Sequence, residues 1–205
     1  VERHKGELVA VFYTHGHSDH LADSGLLKEA FDVPIWSASQ SADRVLRDGD
    51  VLQLGNQEWT VIHTPGHHPD HLCLISNSGL VAGDMVAGIG TILIPPGEGD
   101  MMTYISQLER LLDLDPHLIF PSHGPVIPLP SRTLEHYIRH RSSRHDRVLA
   151  AVDGGNSNLE EIAKIAYEDT PDAHPGLAVD QTLSHLLSHE KDGNVKRVGD
   201  GWVRA

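Results

Sequence analysis

The sequence predicts an α/β protein with two modules. In residues 1–130, apolar segments of strand length alternate with segments whose apolar residues recur at helical spacing, a pattern typical of layered α/β architectures. A Pro-rich stretch, "GPVIPLP", ends that part of the chain, and helical patterns dominate the rest. We therefore expect a first module in residues 1–130 and a second, helical module in residues 131–205.

The first module is predicted to begin with a buried strand at "ELVAVFYTH", because this run is apolar and is bounded by charge. Gly, Asn and Asp turns then divide the middle of the module into several strands. After the first strand, a short helix is predicted at "ADSGLLKEAFD" and a strand at "VPIW". The group of strands follows in residues 48–84. A helix at "MTYISQLERLLDLD" and a last strand with its loop at "LIFPSHGPVI" complete the module.

The second module is predicted to contain a long polar helix, two shorter helices and a β-hairpin. In order, these are "RTLEHYIRHRSSRHDRVLAAV", "LEEIAKIAYEDT", "LAVDQTLSHLLSHE" and "NVKRVGDGWVRA". Helix, helix and hairpin wing form a winged-helix-like arrangement that is often used on nucleic acid. However, the module is acidic by two charges and its predicted helix "LAVDQTLSHLLSHE" has no Lys or Arg, so a structural lid over the active-site cleft is an equal alternative.

Composition and charge limit the class of protein. The 205 residues are 39% hydrophobic, contain no apolar run of ~18 residues and do not begin like a signal peptide, so we expect a cytoplasmic location. The single cysteine, Cys73 in "HLCLI", is expected to be a core residue of a strand, which argues against redox chemistry. Residues 1–130 contribute −11 of the net charge of −13, which repels polyanions but suits the surroundings of a cationic metal centre.

Four potential metal ligands lie within "HGHSDH", His15 to His20, directly after the first predicted strand. His15 and His17 alternate, so both rings can face one way, whereas Asp19 and His20 are offset and suit a second ion. A catalytic zinc ion needs about three protein ligands, so this loop supplies half of two sites. Three later candidates each follow an apolar strand and lie beside a glycine: His67 in "TPGH", Asp84 in "AGD" and His123 in "SHG".

In this order the four motifs resemble the signature of the metallo-β-lactamase superfamily. That signature is His-x-His-x-Asp-His, a Pro-Gly-His turn, an aspartate after glycine and a last histidine after the final strand. The resemblance implies an αββα sandwich for the first module and two Zn²⁺ ions as cofactors, with Fe or Mn as alternatives. The implied ligand sets are His15, His17 and His67 for one metal, Asp19, His20 and His123 for the other, and Asp84 as a bridge.

The resemblance further implies a hydrolase in which a hydroxide bridging the two metals is the nucleophile, with Asp19 orienting it as the catalytic residue. It extends to the beta-lactamase-like protein 2 family through "GDMVAGIGTILIPPGEGDMMTYISQLERLLDLDP", "YIRHRSSRHDRVL" and the second module. The family's sandwich has several strands before the first motif, whereas 14 residues precede His15, so we expect that the N-terminal part of the domain is missing from this chain.

The substrate stays open between single-stranded RNA and a small acyl thioester or lactone, and a non-catalytic nucleic-acid-binding protein is a remote alternative. RNA binding would need basic side chains near the cleft to contact the phosphates. The best-placed basic side chains lie on the long helix and are Arg139, Arg141, Arg144 and Arg147. The alternative is that these arginines join the two modules by pairing with Glu135, Asp146 and the acidic first module.

The other histidines are expected to be structural. His63 and His71 are expected to be core groups or to support the ligands, which they could hydrogen-bond, and His68 and His4 are expected to lie at the surface. No metal is predicted on the helices, because "HLLSH" lacks the Glu of the metalloprotease pattern. The helical histidines are His136, His140, His145, His185 and His189.

Overall fold

A computed structural model describes residues 6–21 and 24–205, so His4 lies outside the described residues. Strands and helices alternate through the first part of the chain, and helices with one hairpin make up the rest. The predicted α/β class is confirmed. Among the described residues, no helix combines the length and the apolar character that crossing a bilayer requires.

The first sheet is small and entirely parallel. It consists of β1 (Val11–Phe12), β2 (Ile35–Ser37) and β3 (Arg44–Val45), with the short helices α1 (Ser18–Leu21) and α2 (Ser24–Phe31) between β1 and β2. The predicted nine-residue strand at "ELVAVFYTH" is therefore wrong in length. Only its two central residues pair with β2, because apolar character favours a strand but a partner strand is needed to form the ladder.

The second sheet holds five strands in sequence order. They are β4 (Val51–Leu54), β5 (Gln57–His63), β6 (Leu72–Ser76), β7 (Gly79–Gly83) and β8 (Ile119–Pro121). Neighbouring strands are antiparallel except β7 and β8, which are parallel. Since parallel strands end at the same edge of a sheet, the residues that follow β7 and β8 are brought side by side.

Two apolar cores flank the second sheet. Between the sheets, Phe12 and Trp36 pack towards Leu52, Val61 and Leu72. On the opposite face, strand residues meet helix α3 (Met101–Asp113), which Asp100 caps by accepting a hydrogen bond from the Thr103 amide at 2.8 Å. Cys73 is fully buried in this second core, and burial raises the pKa of its thiol to about 12, as expected for a structural cysteine.

Helix α4 (Pro130–Asp153) is shared between the two modules. Its 24 residues span about 36 Å. Leu134 and Tyr137 pack in the core of the first module, whereas Val148 and Ala151 pack in a separate core with the elements that follow. The hydrophobic cores therefore divide inside α4, while the sequence places the boundary at its start.

The second module contains the predicted two helices and hairpin. They are α5 (Leu159–Ala166), α6 (Pro175–Lys191), β9 (Val195–Val198) and β10 (Gly201–Arg204). Helix α6 packs against α3, α4 and α5. Much of it is buried, including polar side chains such as Gln181, Ser184 and His189. Much of the surface of α6 is therefore covered by other helices, which argues against α6 as a helix that contacts nucleic acid.

Candidate metal centre

The seven predicted ligands converge at one edge of the two sheets. His15 follows β1, His67 lies in the loop between β5 and β6, Asp84 follows β7 and His123 follows β8. The Leu72 amide donates to the Thr14 carbonyl at 2.7 Å, which ties the end of β1 to the second sheet. This topology brings together residues that are up to 108 positions apart, from His15 to His123.

Three imidazole nitrogens of the first predicted set meet at one point. His15 Nε2 lies 3.1 Å from His17 Nδ1, and His67 Nε2 lies 3.2 Å and 2.9 Å from these two atoms. Ligand nitrogens around a tetrahedral zinc ion with ordinary bond lengths are separated by about 3.3 Å. The geometry of this triad is therefore close to what one metal ion requires.

The second predicted set lies beside the first and is more open. Asp19 Oδ2 is 3.7 Å from His20 Nε2 and 3.6 Å from His123 Nε2. The one-turn helix α1 carries Asp19 and His20, which lets them turn away from His15 and His17. The side chains of Asp19 and His123 are 59% and 49% exposed, whereas that of His15 is fully buried. The site is thus open to solvent on the side of the second set.

Asp84 lies between the two sets. Its Oδ2 is 3.5 Å from His67 Nε2 and 3.4 Å from His123 Nε2, while its Oδ1 is 3.4 Å from His20 Nε2. In the described part of the chain, His20 Nε2 and Asp84 Oδ1 are buried atoms without a hydrogen-bond partner. Buried polar atoms are rarely left unpaired, so this pair fits a site in which a cation is the missing partner.

Buried groups behind the ligands hold them in place. His71 is fully buried, and its Nε2 accepts a hydrogen bond from the Asp84 amide at 3.0 Å. Its Nδ1 must then carry the proton, which it donates to Thr64 Oγ1 at 2.7 Å. Gly83 has a φ of +51°, and a Cβ there would lie 2.5 Å from His71 Nε2, so only glycine permits this approach.

Burial keeps the inner histidines neutral. It is the main cause that lowers the pKa of His15, His67 and His71, and neighbouring imidazoles lower it further. For His67 the hydrogen bond to the Leu93 carbonyl and the charge of Asp84 act in the opposite direction. Neutral imidazole is the form that binds a metal ion, so the site is prepared for a cation at neutral pH.

Two residues near the site were not predicted from the sequence. His68 was expected at the surface, but its side chain is only 14% exposed and its ring centroid lies 5.2 Å from that of His17. Glu98 lies 3.4 Å from His17 Nε2 and 3.5 Å from His68 Nε2. Glu98 comes from the Gly- and Pro-rich loop "IPPGEGD", which has no periodic pattern to indicate where its side chain points.

His63 does not contact the seven candidate ligands. Its ring donates from Nε2 to the Pro69 carbonyl at 2.8 Å, and its backbone carbonyl accepts from Arg110 at 3.0 Å. Of the two roles expected for it, support of a ligand by a hydrogen bond is therefore not found among the described residues. His63 lies at the end of β5, where its backbone amide donates a hydrogen bond to the Asp48 carboxylate at 2.8 Å.

Two of the four arginines considered as RNA contacts, Arg141 and Arg144, are buried, whereas Arg139 is exposed and Arg147 is partly exposed. Arg141 and Arg144 are 2% and 3% exposed. Arg144 donates to Asp169 Oδ1 at 2.8 Å and to the Ala166 carbonyl, and Arg147 donates to that same carbonyl at 2.8 Å. Among the described residues, these arginines form no ion pair with Glu135 or Asp146. Arg144 and Arg147 hold the loop after α5, and Arg141 joins the modules through the Ile92 carbonyl of the first module.

Comparison with known proteins places the chain in the metallo-beta-lactamase superfamily. The family model of the metallo-beta-lactamase superfamily matches residues 1–43 and 39–123. The beta-lactamase-like protein 2 homolog of Drosophila melanogaster is 31% identical over 217 aligned residues, which cover 96% of this chain and 73% of that protein. The residues that carry the signature are thus matched within a chain-long similarity.

A second relative has a more specific name. The atrochrysone carboxyl ACP thioesterase AgnL7 of Paecilomyces divaricatus is 27% identical, and the match covers 86% of this chain but 57% of that protein. Among solved structures, a beta-lactamase domain protein from Burkholderia ambifaria superposes with a TM-score of 0.83 over 98% of this chain and 75% of that one. At 22% identity, this likeness shows a shared fold that includes the second module.

Proposed function

The chain belongs to the metallo-beta-lactamase superfamily, and on that premise we propose that it is a hydrolase with two divalent metal ions. The observation that carries the proposal is the convergence of five imidazoles and two carboxylates, with Asp84 between the two sets. Zinc suits this mixture of nitrogen and oxygen donors, and iron or manganese are alternatives. The ligand sets are those named from the sequence.

When bound, the two ions supply an activated water molecule and a positive charge near the scissile carbonyl. Residues of the chain orient the attacking water. Asp19 lies at the open side, where its carboxylate can accept a hydrogen bond from the attacking water and orient it. Water adds its oxygen to the acyl carbon, the bond to the leaving group breaks, and that group departs with a proton.

We propose an acyl thioester with an anionic carrier as the substrate class. A cavity of about 540 Å³ begins two residues beyond His123, at Pro125, and its wall on α4 carries Arg132, His136 and Arg139. Val126 and Leu129 add an apolar side. Neither arginine has an ion-pair partner in the described part of the chain. Such a cavity suits a ligand with an acyl chain and a phosphate or carboxylate.

Single-stranded RNA is the second candidate, with less support. Of the four arginines considered for it, Arg139 lies in this cavity and is exposed, whereas Arg141 and Arg144 are buried. The first module carries a net charge of −11, which disfavours a polyanion more than a small anion. The winged-helix assignment of the second module stays a prediction.

The test is a substrate panel on the metal-loaded protein: an acyl phosphopantetheine thioester, the same acyl group on a neutral thiol, a lactone and single-stranded RNA. We expect hydrolysis of the phosphorylated thioester. Arg139→Ala should raise KM for that thioester about tenfold with little change for the neutral one, and Arg197→Ala, in the distant hairpin, is the control. RNA cleavage with inert thioesters would select the second candidate.

A further inference from the structure

One backbone carbonyl sets the orientation of His67. His67 Nδ1 lies 2.7 Å from the Leu93 carbonyl oxygen. Because a carbonyl can only accept, Nδ1 must carry the ring proton in this contact. The lone pair of the neutral ring is then on Nε2, the atom that lies 3.2 Å from His15 Nε2 and 2.9 Å from His17 Nδ1. The position of Leu93 therefore selects the tautomer that the metal triad needs.

The residues on either side of Leu93 are held by the second module. Gln181 on α6 makes two hydrogen bonds with Ile94, accepting from its amide at 3.2 Å and donating to its carbonyl at 2.9 Å. Ser184, one turn further along α6, donates to the same carbonyl at 2.7 Å. Arg141 on α4 donates to the Ile92 carbonyl and to Gln181 Oε1, the latter at 2.8 Å.

These contacts are shielded from water. Ile94 is fully buried, and His67, Gln181 and Ser184 are 4%, 6% and 4% exposed. Arg141 has no carboxylate within ion-pair distance among the described residues, so its charge is stabilised by carbonyl oxygens and by the Tyr104 ring at 5.8 Å. If one of these hydrogen-bonding side chains is removed, water cannot readily replace it. The segment Ile92–Ile94 must then shift or leave its backbone polar groups unpaired.

We propose that Gln181 and Ser184 are positioning residues for His67. Through the segment Ile92–Ile94, they hold the Leu93 carbonyl where it fixes the ring, so the second module sets the metal affinity of the triad His15, His17 and His67. The part of this inference that concerns metal rests on the proposed function. The part that concerns the tautomer of His67 does not depend on it.

The tautomer is measured first, in metal-free protein, by long-range ¹H–¹⁵N NMR correlations of the His67 ring. We expect the form protonated at Nδ1 in the wild type, a smaller fraction of it in Ser184→Ala and the smallest in Gln181→Met. Lys191→Ala is the matched control, since it removes the 2.7 Å ion pair from α6 to Asp100, which joins the same modules without reaching Leu93. An Nδ1-protonated fraction that is low in the wild type, or equal in all four proteins, overturns the proposal.

Metal affinity is measured second, by competition with a chromophoric chelator for Zn²⁺. We expect the affinity of the tighter site to fall about 10-fold to 100-fold in Gln181→Met and less in Ser184→Ala, the range known for groups that orient metal-bound histidines. A purely structural role would lower the unfolding temperature of the metal-free variants without changing affinity. Should Gln181→Met fail to fold, Ser184→Ala, which removes only the hydroxyl that contacts the Ile94 and Asp180 carbonyls, provides the test.

The two proposals fail in different ways. If the wild type binds no metal, the proposed function fails, while the tautomer measurement still decides whether Gln181 and Ser184 position His67. If the wild type binds two ions and both variants bind them equally tightly, the proposed function stands and the positioning role is refuted.

Discussion

Two histidine clusters in the described part of the chain differ in what their ring nitrogens face. In the metal centre, nitrogens of His15, His17 and His67 point at one another within 3.2 Å, and Asp84 lies beside them. In the second module, His145 and His189 stack face to face, with ring centroids 3.5 Å apart and an angle of 18° between the planes. Only the first arrangement offers converging lone pairs and a carboxylate to a cation.

The second cluster uses its nitrogens for the fold. His189 donates from Nε2 to the His145 carbonyl at 3.0 Å, and His145 Nδ1 lies 3.2 Å from His185 Nδ1. No carboxylate is within ion-pair distance of these rings in the part of the chain that the structure describes. Proximity of histidines thus does not define a metal site; the direction of the lone pairs and the presence of an anionic ligand do.

The largest expected effect is the loss of activity in Asp19→Ala. Because Asp19 is a proposed ligand and orients the attacking water, kcat/KM on the best substrate of the panel should fall at least about 1,000-fold, or about 4 kcal/mol in the barrier. Its side chain is 59% exposed, so the unfolding temperature of the metal-free protein should not change. His185→Leu, in the second cluster, should keep activity within a few-fold. Activity of Asp19→Ala within tenfold of the wild type would contradict its role.

Chelation should have the next largest effect. A ligand that binds only the folded state at about 100 times its Kd adds about 2.7 kcal/mol of stability, which corresponds to a rise of several degrees in the unfolding temperature. Calorimetry with and without Zn²⁺ should show this rise in the wild type and in His185→Leu, but a much smaller one in His67→Ala. An equal rise in His67→Ala would show that the metal binds elsewhere.

The smallest effect is the pH dependence of the second cluster. Burial, followed by the charge of His189, lowers the pKa of His145 to about 4, and burial also lowers the pKa of His185 well below its ordinary 6.5. The unfolded chain therefore takes up more protons than the folded protein as the pH falls below about 6.5, and stability declines. For His145 the decline continues down to about pH 4.

Urea unfolding of the metal-free protein between pH 7 and pH 5 measures this decline. Each histidine that stays neutral in the fold contributes up to about 1.4 kcal/mol per pH unit. His185→Leu should reduce the slope by at most that amount, since the histidines of the metal centre contribute with the same sign. Exposed His136, replaced by Ala, is the control. A slope that His185→Leu leaves unchanged would mean that His185 is protonated in the folded state.

Local patterns in the sequence predicted several of the regular elements, although the first strand is much shorter than predicted. The predicted helix at "MTYISQLERLLDLD" is α3, Met101–Asp113, because its apolar residues recur at helical spacing and Asp100 caps it. The β4–β5 hairpin follows from Gly55 and Asn56, since Gly55 adopts a φ of +62° that other residues avoid. The candidate ligands could also be recognised locally, because four of them lie within six residues after the first strand and His67, Asp84 and His123 each lie beside a glycine in a loop that follows a strand.

The tertiary structure determined the burial and pairing of polar side chains, which depend on residues far apart in the sequence. The sequence shows Arg141 and Arg144 as charges on a polar helix, but the carbonyls of Ile92 and Ala166, which bury and pair them, come from other segments. Likewise, the sequence shows His67 as a ligand type, whereas its tautomer depends on the Leu93 carbonyl and on α6 behind it. Periodicity reports which face of an element is apolar, but the pairing of a buried polar group is a property of two elements, which only the folded chain brings together.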